Sequence, residues 1–274
     1  MLHVLHPRFE PDPSGQPGSK PLERTSPTMD IVAVHGLNGH YMDTWTDKSR
    51  HGSGTMWLRD LLPEELHGCR VMTYQYDASV TSMSVGRVRD AAGNLLRLLN
   101  DSREDPIYAN VPIVFVGHSL GGIVIKQAVV FSQDKTKLKY VANDIKGMVF
   151  FGTPHRGSDA ANWASLAKRI GRVVVPGSKR GLLEMLKTHS EGLYNVNEDF
   201  RPLSTNYAIV SFYEEYAYRI WGKVVVDKDS AVMGLPHEEE MMLSGTHTSM
   251  CRFSEGDKQF DAVWRRIRDV AAGP

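Results

Sequence analysis

Cysteine is nearly absent: Cys69 and Cys251 are the only two in 274 residues. So few exclude a disulfide framework and a cysteine-built zinc site, and favour two free thiols in a reducing compartment. No apolar run reaches the ~18–20 residues that a membrane-spanning helix needs. The opening Met1-Leu-His-Val-Leu-His-Pro7 has no basic segment and too short an apolar stretch for a secretory signal, so a cytoplasmic location is expected. Charge of one sign is also lacking, since 32 Lys and Arg face 32 Asp and Glu. Without a net field, neither nucleic acid nor an anionic membrane is an expected partner. His40, His51 and His67 have no metal-ligand spacing and read as loop residues, so no metal is expected.

What remains, 41% hydrophobic and 23% charged, is the composition of an ordinary globular protein. Leu2–His6 reads as a short first strand, and the Pro-, Gly- and Ser-rich stretch 7–28 as a loop. Short apolar runs then follow as strand candidates: Ile31–Val34, Val71–Tyr76, Pro112–Val116, Ile145–Phe151 and Tyr207–Tyr213. Between them, Val85, Val88, Ala92, Leu95, Leu96 and Leu99 recur at helical spacing, and Gly121–Phe131 is a nearly all-apolar helix. Phe260, Val263, Trp264, Ile267 and Val270 mark one face of a closing helix. This alternation predicts an α/β fold, a doubly wound and mostly parallel sheet with helices on both faces. Residues 156–201 interrupt it with helical pieces (Trp163, Leu166, Ile170; Leu182, Leu186) and turns, and read as a helical insertion within one domain spanning 1–274.

Gly117-His-Ser119-Leu-Gly121 matches G-x-S-x-G, and it directly follows a strand and precedes a helix. That is the setting of a nucleophile elbow, where a serine sits at the tip of a strained turn and side chains two residues either side would collide. The helix behind Ser119 directs partial positive charge at a reacting carbonyl oxygen. His118 neighbours the serine in sequence, points away from it at such a turn, and is assigned to packing. An oxyanion hole needs two backbone N–H groups. Leu120 supplies one, and the loop His35-Gly36-Leu37-Asn38-Gly39 supplies the other through Leu37.

A serine hydroxyl needs a general base held by a carboxylate, in the chain order Ser, acid, His for doubly wound hydrolases. His247, in Gly245-Thr-His-Thr-Ser-Met250, lies after the last recognised strand and before the final helix. His237, within His237-Glu-Glu-Glu240, reads as a solvated loop residue. For the acid, Glu214 and Glu215 follow a strand, and Asp227 and Asp229 lie farther on. The strand end favours Glu214 and leaves the other three open. Gly152-Thr-Pro-His-Arg-Gly157 reads as a turn opening the insertion, with substrate contact as the alternative.

Taken together, His35-Gly-Leu-Asn-Gly-His40, Thr44-Trp45, the Ser119 elbow, Phe151-Gly-Thr-Pro-His-Arg-Gly157, Ser211-Phe-Tyr-Glu214, Asp227-Lys-Asp-Ser-Ala231 and His247-Thr-Ser-Met-Cys-Arg-Phe253 resemble the lipase-like α/β-hydrolases. The nearest branches are the serine-active-site-containing proteins and the N-terminal hydrolase domains of fungal NACHT or NB-ARC receptors. The resemblance implies an α/β-hydrolase fold with Ser119, Glu214 and His247 as triad, acting on esters of lipids or related acyl compounds without a cofactor. The expected activity is hydrolysis of a carboxylic ester or thioester, with 156–201 as a cap over the acyl pocket. The alternatives are an acyltransferase, or a signalling module that keeps the scaffold without its chemistry.

Overall fold

A computed structural model describes residues 1–7, 26–48, 54–79, 84–134, 138–155, 190–217 and 224–274. Strands β1 (Leu2–His6), β2 (Asp30–Val34), β3 (Arg70–Tyr74), β4 (Ile113–His118), β5 (Ile145–Phe151), β6 (Ala208–Glu214) and β7 (Glu238–Leu243) form one sheet. Its order is β1-β3-β2-β4-β5-β6-β7. Only the β1–β3 pair is antiparallel; the remaining neighbours are parallel, as the strand–helix alternation predicts.

Alternate residues of each central strand face opposite layers. Val32, Val34, Phe115, Met148 and Phe150 face one core, and Ile31, Ala33, Val114, Val116, Val149 and Phe151 the other. The first layer is closed by helices α1 (Val85–Asp101), α2 (Leu120–Asp134) and α3 (Ser190–Phe200). Ser84 caps α1 by accepting from the Arg87 N–H, and the Val88, Ala92, Leu95, Leu96 and Leu99 stripe is buried as its spacing requires. The second layer is closed by α4 (Lys258–Val270), capped by Asp257, and by short helices at Trp57–Asp60 and Leu62–Glu65. Among the described residues, no helix is long and apolar enough to cross a membrane.

Strand β7 is one element that the sequence hides. Its Glu238-Glu-Glu-Met-Met-Leu243 run has no apolar alternation, because this edge strand leaves much of its surface to solvent. The Glu238 carboxylate is occupied locally, accepting from the N–H groups of Met233, Gly234 and Leu235. In the insertion, α3 buries Val196 and Phe200 against the α2 side of the core. Trp163, Leu166, Ile170 and the rest of 156–189, like most of the 7–28 loop, lie outside the described residues.

Candidate active site

The site is assembled where loops leave the C-terminal ends of β2, β4, β6 and β7, the edge at which parallel sheets present ligands. Ser119 follows β4 with φ of +52°, a left-handed conformation that costs a side-chain-bearing residue energy and marks a strained turn. Close approach explains the neighbouring glycine: a Cβ on Gly121 would lie 2.1 Å from the carbonyl oxygen of Val34 at the end of β2. Gly122 meets the side chain of Thr153 in the same way, so the elbow is wedged between two strand ends.

His247 Nε2 lies 2.9 Å from Ser119 Oγ, and His247 is wholly buried. On the other side of the ring, Nδ1 lies 3.4 Å from Glu214 Oε1 at the end of β6. The Ser119–His247 contact has hydrogen-bond geometry, whereas the His247–Glu214 approach is a looser contact. Glu214 is itself buried, and its Oε1 accepts a 2.6 Å hydrogen bond from the Val226 N–H.

The other acid candidates lie away from the His247 ring. Glu215 accepts from the Ser244 hydroxyl at the surface. Asp227 is the N-cap of the short helix Lys228–Ala231, accepting from the Ser230 N–H. Asp229 lies inside that helix. His237 sits in an exposed turn with Nε2 3.1 Å from the Ser204 carbonyl, consistent with its loop reading.

The His35–Gly39 loop reaches the serine directly. Gly36 packs on Ser119 and His118, and among the described residues the Leu37 N–H has no acceptor. Leu120 opens α2, where the first N–H groups of a helix have no partner within it. The loop is fixed by the Asn38 N–H donating to the Ala78 carbonyl and by the Tyr76 hydroxyl donating to the His35 carbonyl. The Tyr76 ring stacks on His35 at 4.6 Å, and burial pushes the His35 imidazole down to about 4.

Sequence reasoning missed three supports. The Gly152-Thr-Pro-His155 segment is part of the site wall: a Cβ on Gly152 would lie 3.0 Å from His247 Nδ1, and Thr153 packs on the elbow. His155 adds a 3.4 Å contact to Ser211 and sets its ring against Phe150. Arg156 and Gly157 lie outside the described residues. Trp57 donates to the Cys251 carbonyl, tying down the chain after His247. Both thiols are buried and unbridged, and burial pushes each up to about 12. His118 contacts the His247 backbone, which no local sequence pattern signals. Among the described residues there is no cluster able to hold a metal.

Comparison with known proteins agrees with this architecture. The family described as Putative serine esterase (DUF676) matches residues 27–172, more than half of the chain. Protein SERAC1 of Bos taurus is 24% identical over 99% of this chain and 41% of its own length. Protein SERAC1 of Homo sapiens is 22% identical over 93% and 39%. The chain thus spans about two fifths of these curated relatives. Among solved structures, Bacillus licheniformis lipase BlEst2 in mature form aligns with a TM-score of 0.56, at 16% identity, over 97% of this chain and 98% of its own. MGS-MChE2, an α/β hydrolase from a lagoon-sediment metagenome, aligns with a TM-score of 0.52, at 16% identity, over 89% and 94%. These likenesses establish the lipase-like α/β-hydrolase fold, and by the matched residues the chain belongs to the DUF676 serine esterase family.

Proposed function

We propose that the chain is a single-domain serine hydrolase of carboxylic esters or thioesters, with Ser119, His247 and Glu214 as its triad. The buried 2.9 Å contact between Ser119 Oγ and His247 Nε2 carries this reading. His247 Nε2 takes the hydroxyl proton as Ser119 Oγ bonds to the substrate carbonyl carbon. The negative charge that develops on the carbonyl oxygen is received by the N–H groups of Leu37 and Leu120. His247 then returns its proton to the leaving alkoxide or thiolate as that bond breaks. Water attacks the acyl-enzyme by the same route, releasing the acid and restoring Ser119. Glu214 holds the Nδ1 proton of His247 and offsets the imidazolium charge. Glu214 Oε1 lies 3.4 Å from that nitrogen, and catalytic contacts of this kind tighten in a substrate complex.

The cap role of 156–201 and a cytoplasmic location, suggested by two buried free thiols, belong to the same proposal. A panel of p-nitrophenyl esters and acyl thioesters, with and without competing alcohols or amines, tests it. Turnover to the free acid that vanishes in Ser119→Ala supports hydrolysis. Acyl products on the added alcohol or amine would make the chain a transferase, and no turnover or probe labelling would leave a binding module.

A further inference from the structure

His118 joins three parts of the site at once. It precedes Ser119 in the chain, its Nδ1 faces Gly36 of the oxyanion loop, and its Nε2 lies 2.8 Å from the backbone carbonyl of His247. A carbonyl oxygen only accepts, so Nε2 must carry the hydrogen and donate. The two imidazoles stand 5.1 Å apart, and Trp45 meets His118 edge-on.

The groups that act on this ring are His247, Arg252 and His35, none of them an anion. Burial, followed by the neighbouring His247, pushes His118 down to about 3, so the ring stays neutral at physiological pH. Neutrality matters here because a second imidazolium beside His247 would oppose the charge that His247 acquires in each half-reaction.

We infer that His118 is a positioning residue, whose Nε2–H ties the His247 loop to the nucleophile elbow and sets the reach of the base to Ser119. The inference rests on the triad reading. It also departs from the expectation that His118 merely packs. The base arrives on a loop after edge strand β7, and Glu214 touches it only through the looser 3.4 Å contact. A direct bond from elbow to base loop therefore holds the pair whose geometry matters most, and a misplacement of about 1 Å can cost 10²-fold in rate.

The test compares His118→Phe, which keeps a ring without the donor, with His118→Gln, whose amide nitrogen can take the place of Nε2. His118→Phe should lower kcat about 10- to 100-fold with KM nearly unchanged, and His118→Gln should recover most of the loss. Wild-type kcat in His118→Phe, or equal losses in both variants, would overturn the inference. Ser119→Ala is assayed alongside: its persistence of activity would instead remove the triad reading. Should His118→Phe not fold, nitrogen-15 NMR of the wild-type imidazoles decides. A neutral His118 ring protonated at Nε2 between pH 5 and 8 is expected, and an imidazolium or the opposite tautomer there contradicts the inference.

Discussion

Gly36 and Ser119 are in such close packing that a Cβ on Gly36 would lie 2.9 Å from the Cβ of Ser119 and 3.0 Å from the His118 carbonyl. The loop proposed to offer the oxyanion donor is thus pressed against Ser119 with no room for a methyl group. Gly36→Ala must push the two apart and move the Leu37 N–H. Loss of one oxyanion donor costs roughly 10²–10³-fold in kcat elsewhere, and we expect at least the lower figure in kcat/KM. Circular dichroism should show a retained fold.

The roles proposed for Glu214 and Asp227 can be separated by substitution. Glu214→Gln should cost several orders of magnitude in kcat; the trypsin precedent for losing a triad acid is about 10⁴-fold. Asp227→Asn keeps a capping side chain and should leave kcat near wild type, whereas Asp227→Ala should cost about 0.5–2 kcal/mol of stability. Steady-state kinetics on one ester and denaturant melts measure both. A near-normal Glu214→Gln beside an inactive Asp227→Asn would transfer the acid role to Asp227.

At the opposite edge of the sheet, Asp30 is fully buried at the start of β2. It takes two 2.7 Å bonds from Arg70 and another contact from Arg103, which also reaches Asp144. Removing one partner of such a group strands buried charge and costs about 3–5 kcal/mol. Asp30→Ala should therefore lower stability by that amount, while any folded fraction keeps the wild-type kcat. A stability change under 1 kcal/mol would show the guanidiniums rehydrating freely.

Lys126 lies in the core on α2, its ammonium donating to Asn197 of α3 and 5.7 and 5.5 Å from the ring centroids of Phe150 and Phe200. Glu238 and Arg201 act on it from farther off. Burial pushes its amine down to about 7 from the usual 10.5. Between those pH values the unfolded chain binds the proton and the folded one does not, so this group makes stability rise with pH across that window. Lys126→Met should remove that slope and stabilise the protein below pH 7 by about 1–4 kcal/mol, the range for exchanging buried ionic groups for packed apolar ones. Urea melts from pH 6 to 10 would read it, and an unchanged slope would refute the assignment.

Much of this architecture is visible in the chain because central parallel strands are buried on both faces, as in Ile113–His118 and Ile145–Phe151. The elbow is legible for the same reason, since G-x-S-x-G between such a strand and an apolar helix has few other meanings. Edge strand β7 is not, because solvent accepts its Glu238-Glu-Glu240 run and erases the periodicity. Nor are Gly152 beneath His247, or the bond from His118 to His247, since both join residues far apart in sequence. The proposed acid lies between these cases: a strand end favours Glu214, but the Val226 N–H that holds it and the cap that occupies Asp227 are tertiary facts.

Covalent labelling tests the central claim most directly. Wild-type protein is treated with a fluorophosphonate, and intact-mass and peptide mass spectrometry locate the adduct. The account predicts one adduct per chain on Ser119, lost in Ser119→Ala and strongly slowed in His247→Ala with the fold retained. An adduct on another residue, or undiminished labelling of Ser119→Ala, would contradict it.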